Sequence, residues 1–323
     1  MRKIVQNKIN IASILLLIIG LIFQANVQAQ IINPEENKGV LSIQQFDTRS
    51  LSLGSATVSD LYGRASFGSN PALSGLYRNG IVFQTHSNHN WNTNLMQHSF
   101  TLPTISIENH HFTARAGLLN QGYDKLDIFG NSELPVPDIE LYHAEAAYAY
   151  AFSDVFSLGV LQSVTYTFNE DAQYWTYFAD FGIIYAPAKN ISYGLAFRGL
   201  GHEVNYEIIE TGTTTLGSNL MRQSLELGAT FRFPTEERTF MSLSFANEKR
   251  FGESGIWYKG GLELLPNPII SLRGGVLFHN RDTRFIPRTG IGINFKYGSL
   301  DYMIAPKNMD GEYFHQIGLT IRF

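Results

Sequence analysis

No cysteine occurs anywhere in the 323 residues. That excludes a disulfide framework, a zinc–thiolate site, a cysteine nucleophile and a lipid-modified cysteine behind a leader. Charge is scarce too, at 16% of residues against the roughly 25% usual for soluble globular chains. Apart from one stretch near the start there is no long apolar run, so nothing else has the roughly 20 residues a membrane-spanning helix needs. Positive charge is not in excess, with 24 basic against 28 acidic residues, which argues against a nucleic-acid binder. Missing as well are a Gly-x-Ser-x-Gly elbow, a phosphate-binding glycine loop and a zinc-binding His-Glu-x-x-His. Catalytic residues, cofactor sites and metal sites are therefore left unassigned, and the chain is read as a non-enzyme.

What the sequence does contain begins with a leader. Arg2, Lys3 and Lys8 make a basic start, Ile11 to Phe23 an apolar core, and Val27-Gln28-Ala29 a small-residue cleavage site. Residues 1–29 are expected to be a signal peptide. Its removal would leave 21 basic against 28 acidic residues, a net charge of −7.

Aromatic residues are plentiful, at 13%, and there are 29 glycines. They fall in period two. From Phe156 to Phe168, Phe156, Leu158, Val160, Val164, Tyr166 and Phe168 share one face, while Ser157, Gly159, Leu161, Ser163, Thr165 and Thr167 share the other. Alternation over that length is extended, not helical. The apolar face often ends in an aromatic, as at Tyr142 and Phe152 or Trp175 and Tyr185, the pattern of the aromatic girdles at membrane interfaces. Fourteen such segments are predicted, at about 80–88, 96–106, 111–119, 138–152, 155–168, 174–186, 190–199, 219–233, 238–247, 255–265, 269–279, 288–297, 299–305 and 313–323. Tight turns alternate with longer connections, the longest at Asn120 to Pro137 and Leu200 to Ser218. Few charges, many aromatics and alternating strands predict an all-β fold, a transmembrane antiparallel β-barrel of about 14 strands in a bacterial outer membrane, in contact with its lipid. A soluble β-sandwich would alternate too, but usually carries more surface charge.

With the aromatic face toward lipid, the lumen receives Arg115, Glu145, Asp180, Arg198, Arg222, Glu226, Arg232, Lys259, Glu263, Arg273, Asn294, Lys296, Asp301 and Arg322. Apolar exceptions on that face are Leu161, Phe178 and Trp257. Residues 30–79 precede the 80–323 barrel and are broken by Gly54, Gly63, Gly68, Pro71 and Gly75, so they are expected to form a hatch inside it. On the last strand Ile317, Leu319, Ile321 and Phe323 alternate to the final residue, a pattern similar to the outer-membrane signal read by the barrel-assembly machinery. Of nine histidines, His86 and His89 fall on opposite faces of a strand, and His110 and His111 are placed in a turn; neither spacing makes a metal site.

Particular residues resemble known families. Leu51-Ser52-Leu53-Gly54-Ser55-Ala56, followed by Ser69-Asn70-Pro71-Ala72-Leu73-Ser74-Gly75-Leu76, resembles the hatch region of FadL-superfamily barrels, with Asn70, Pro71 and Ala72 as its turn. Where relatives carry paired acids before that turn, Asp60 stands alone. The stretches Asp180 to Pro187, Asn190 to Leu195 and Gly199-Leu200-Gly201 are similar to the PorV and PorQ proteins of the type IX secretion system. Leu300-Asp301-Tyr302, Pro306 and the strand around His315 fit the same group. The resemblance implies a barrel acting in protein secretion or surface attachment, with secreted cargo or other secretion-system proteins as partners. The alternative is a FadL-like transporter of small hydrophobic molecules. The lumen discriminates the two, because a transporter needs an apolar pocket reaching the hatch. A lumen this charged favours the secretion reading.

Overall fold

The period-two segments are strands in the computed structural model, which describes residues 47–61, 66–77, 80–90, 93–122, 139–168, 172–208, 214–220, 223–234, 239–281, 283–306 and 313–323. The leader, the start of the expected hatch and most of the first long connection lie outside these residues. In chain order the strands are β1 (Val82–Asn90), β2 (Thr93–Thr101), β3 (Ile105–Ile107), β4 (His110–Gly122), β5 (Ile139–Ser153), β6 (Phe156–Phe168), β7 (Ala172–Ala188) and β8 (Ile191–Ile208). There follow β9 (Thr214–Leu220), β10 (Ser224–Pro234), β11 (Thr239–Arg250), β12 (Trp257–Leu264), β13 (Ile270–His279), β14 (Arg284–Phe295), β15 (Gly298–Pro306) and β16 (Tyr313–Arg322).

All are antiparallel members of one sheet, and the sheet closes, since β1 pairs with β16 and β8 pairs with β10. Two staves of the ring are each made of two pieces. β3 carries β2 onward along β4 after Leu102, Pro103 and Thr104, where three residues face two and the ladder bulges. Pro103 has no N–H to give the ladder there. β9 and β10 pair with successive lengths of β8. The ring therefore has fourteen staves, the number the alternation predicts, and leaves no free edge of the kind a sandwich would have.

β7 shows why the ring suits a membrane. Tyr177, Phe181 and Tyr185 point outward and are each nearly half exposed, while Asp180, Gly182 and Ile184 point inward and are buried. A water-facing surface would not present aromatics on strand after strand. Turns Glu108-Asn109, Asp154-Val155, Lys189-Asn190 and Lys296-Tyr297 are short and lie at the end that also holds Phe323.

Three sequence expectations are corrected. Leu200 to Ser218 is mainly strand, because β8 runs to Ile208 and β9 starts at Thr214. Backbone pairing alone can extend a hairpin beyond the lipid, where a polar, glycine-rich and threonine-rich composition carries no penalty. His110 and His111 open β4 instead of lying in the turn, and they bond to Tyr148 and Ser106 across neighbouring strands. Lys296 sits in a turn, exposed, with its ammonium 4.9 Å from the centre of the Tyr297 ring.

Candidate functional site

The lumen is the site, and the segment before β1 fills part of it. Its first element is α1 (Thr48–Ser52), capped by Asp47, whose carboxylate accepts from Ser50 N at 3.0 Å. After Leu53 the chain turns at Gly54 and Ser55, both at positive φ. A 3-10 turn, Ser66–Gly68, leads to Asn70-Pro71-Ala72 and α2 (Leu73–Leu76).

This segment can lie close to the wall because glycines stand opposite it. Gly159, Gly182, Gly194, Gly228, Gly261 and Gly275 face its backbone or short side chains from six strands. A methyl group at Gly275 would come within 2.5 Å of the Leu53 carbonyl carbon, so only a bare backbone fits. Asn70 is fully buried at the tightest approach. Its amide nitrogen lies within hydrogen-bonding distance of three carbonyls, Val58 at 2.9 Å, Ile183 at 3.0 Å and Leu195 at 3.2 Å. Its Oδ1 accepts from Ala72 N at 3.1 Å. One side chain thus fixes the turn internally and ties it to β7 and β8. The sequence marks this turn by resemblance; the geometry gives it a mechanical reason.

A second tie is ionic. Arg49 holds Asp60 at 2.7 Å and forks onto Glu263 of β12 at 2.6 and 3.1 Å. Asp60 also meets Arg232 of β10 at 3.1 Å. Glu263 passes the chain to Arg273 at 2.8 Å, and Arg273 to Asp301 at 2.6 Å. Signs alternate from Arg232 through Asp60, Arg49, Glu263 and Arg273 to Asp301, so a guanidinium stands between each carboxylate of the series and the next. Burial by itself would raise the Asp60 pKa, but Arg49 and Arg232 outweigh it and hold the carboxyl below its usual range. Beside this chain lies a cavity of about 210 Å³ lined by Arg49, Asp60, Arg232, Glu263, Arg273 and other mainly polar side chains. A further set joins Arg198, Glu226, Lys259 and Glu248, and Arg198 also donates to the Ser69 carbonyl.

The third contact is apolar. Phe67 is fully buried among Ala147, Leu161 and Phe178, a packing worth roughly 1.5–3 kcal/mol for a side chain of this size. The Arg115 guanidinium lies 4.8 Å from the centre of its ring and is bonded to Glu145. Leu161 and Phe178, two of the apolar exceptions in the sequence pattern, therefore form apolar wall packed directly against the hatch. Trp257, the third, meets the His279 ring at 4.7 Å in a tilted arrangement and lies under the Arg250 guanidinium.

Most of the charged residues assigned to the lumen are found there and spend their charge on one another or on the hatch. Arg222 is outside the side chains described. His86 is buried and bonded to Thr48 of α1 at 3.0 Å. On β16, Ile317, Leu319 and Ile321 face outward, Phe323 is exposed, and Gln316, Gly318 and Thr320 are buried on the lumen side. Sequence reasoning sends the apolar series Leu51, Leu53, Phe67, Leu73 and Leu76 into the barrel, and Phe67 is buried there, but it missed Gly182 as a contact residue. A glycine in a strand carries no partner information of its own.

Comparison with known proteins fits this architecture. No family model and no curated protein sequence matches the chain. Solved structures do. The toluene transporter TbuX of Ralstonia pickettii is 13% identical with a TM-score of 0.60, over 88% of this chain and all of that one. The toluene transporter TodX of Pseudomonas putida is 12% identical with a TM-score of 0.57, covering 84% of this chain and 96% of its own. A FadL homologue of Pseudomonas aeruginosa is 12% identical with a TM-score of 0.53, covering 85% and 96%. At such identity the likeness is one of fold: a closed FadL-like barrel.

Proposed function

We propose that this protein is an outer-membrane channel for small hydrophobic molecules, with the segment before β1 as its hatch. The observation that carries the reading is the apolar packing of Phe67 on Ala147, Leu161 and Phe178, because apolar lumen wall that reaches the hatch is what a transporter of hydrophobic molecules needs and a secretion component does not. The charged lumen, which taken alone favours secretion, loses that weight once its charges are consumed in holding the wall and the hatch together. The shared fold with toluene transporters supports the same choice. The type IX assignment rests on short sequence likenesses. In the same reading residues 1–29 are the export signal, and Ile317, Leu319, Ile321 and Phe323 address the chain to the barrel-assembly machinery.

The test is uptake. Cells lacking the gene should take up labelled toluene more slowly while the set of proteins on their surface stays the same. Unchanged uptake with an altered set of surface proteins would return the secretion reading.

A further inference from the structure

Phe67 does more than fill space. Its pocket has a polar continuation along the strands. Ser163 lies opposite both Glu145 and Phe178, and the next inward pair is His143 opposite Thr165. Each step of two residues advances about 7 Å along a strand. Ser163 Oγ, Thr165 Oγ1 and both ring nitrogens of His143 are buried with no hydrogen-bond partner. His143 is 4% exposed, and its ring lies over Gly117, where a methyl group would come within 2.7 Å of Nε2. Folded chains seldom leave four such atoms unpaired side by side unless something else is meant to meet them. Neutral imidazole donates from one nitrogen and accepts at the other, and hydroxyls do both. The group therefore offers hydrogen bonds of either sense and no net charge, while the nearby Arg115 is already committed to Glu145 at 2.9 and 2.5 Å.

We propose that the Phe67 pocket is where the transported molecule is held, and that this molecule is an uncharged phenyl-sized aromatic bearing a hydroxyl or carbonyl. Its ring takes the place of the Phe67 side chain, and its oxygen meets Ser163, Thr165 and His143. The proposal rests on the transporter reading and names the substrate class. An aromatic carboxylate would bring a charge beside an ion pair that has no counter-ion to spare. A plain hydrocarbon would leave the polar atoms unpaired. Phe67 acts as a built-in stand-in for the substrate ring, so removing it exposes the site.

The experiment uses the full chain in detergent, wild type and Phe67→Ala, with p-cresol, toluene and 4-methylbenzoate as probes in titration calorimetry. Phe67→Ala should bind p-cresol about tenfold more tightly than wild type, since nothing has to be displaced. It should prefer p-cresol to toluene by about tenfold or more and ignore 4-methylbenzoate. Adding Ser163→Ala and Thr165→Val should abolish that preference and keep toluene binding. Should Phe67→Ala fail to fold, as judged by heat-dependent gel mobility, Phe67→Leu carries the same comparison with a smaller gain. Absent p-cresol binding in the folded variant, equal binding of the carboxylate, or a preference untouched by the Ser163 and Thr165 changes would overturn the proposal. Cellular uptake judges the transporter reading separately. Binding without uptake keeps the site and removes the transport, and uptake without binding does the reverse.

Discussion

Along β10, β12, β13 and β15 the lumen charges of the latch are paired, and the chain from Arg232 to Asp301 runs through two hatch residues, Arg49 and Asp60. Along β1, β2, β5 and β6, besides the pairs Arg115–Glu145 and Thr48–His86, several buried polar atoms are left unpaired. Gln84 Nε2, Gln97 Oε1, Ser163 Oγ, Thr165 Oγ1 and both His143 nitrogens lack partners there. The hatch meets the neighbouring wall through the apolar contact of Phe67 and the amide of Asn70. Buried ion pairs with satisfied geometry resist separation because parting them strands charges in a dry place. Unpaired polar atoms do the opposite, since opening lets them find water. In the channel reading proposed above, motion that admits a solute is therefore expected beside β5 and β6, with the ion-paired contacts of Arg49 and Asp60 as its hinge.

The sharpest way to break that contrast is Arg49→Ala, which leaves Asp60 and Glu263 facing each other without the cation that separates them. A cost of about 3–5 kcal/mol is expected, the usual effect of removing one partner of a buried pair. Amide exchange across Thr48 to Asp60 should accelerate, and the protein, which in wild-type form should conduct ions poorly in planar bilayers, should conduct more. Acid should act on the same latch. The folded-state pKa of Asp60 is depressed, so its contribution is present above the unfolded value and lost as pH falls through the folded one. Exchange protection of α1 should therefore hold across the ordinary carboxylate range and fail only below it. Loss already within that range would mean that the ion pairs do not carry the latch.

Asn70→Ala comes next, at about 1–3 kcal/mol, because it removes the turn's internal bond and the amide that serves the carbonyls of Val58, Ile183 and Leu195. Gly182→Ala should mimic it from the wall side, since the new methyl would come within 2.9 Å of Pro71 Cδ. Exchange at Ala72 should rise in both variants while α1 stays protected. If α1 loosened equally, the two anchorages would be one cooperative unit and the hinge would disappear.

Period two made the wall legible. Because alternate residues face opposite ways, parity alone sent Glu145, Glu226, Glu263 and Asp301 to the lumen and Tyr142 and Phe152 to the outside. Parity could not say which charges meet, since Arg49 and Glu263 are 214 residues apart. Nor could it see the uncharged orphans, whose peculiarity is a missing partner and leaves no mark in sequence. Composition misled at Leu200 to Ser218, where glycine and threonine read as loop although β8 and β9 pair there. The start of β14 was missed through Pro287, which lies in strand just before β15 begins to pair at Thr289.

The smallest effect separates the two sides most cleanly, because one substitution can be made in both. Thr230 and Thr165 are both buried inward residues on strands, at 1% and 4% exposure. Thr230 Oγ1 is bonded to Ser59 of the hatch segment at 2.9 Å and to Ser244 at 3.1 Å, whereas Thr165 Oγ1 has no partner. Valine keeps the branched shape and removes the hydroxyl, so packing is nearly constant and the hydrogen bond is the variable. Thr230→Val should destabilise by about 1–2 kcal/mol, since it deprives two buried hydroxyls of a partner. Thr165→Val should be neutral or stabilise by up to about 1 kcal/mol, because an unpaired buried hydroxyl is replaced by a methyl group that needs none. The comparison is read from urea midpoints of the protein folded into lipid vesicles, with slopes checked for equality. A matching loss in both variants would show that Thr165 is paired in the membrane, and the unpaired side of the lumen would no longer explain where the hatch gives way.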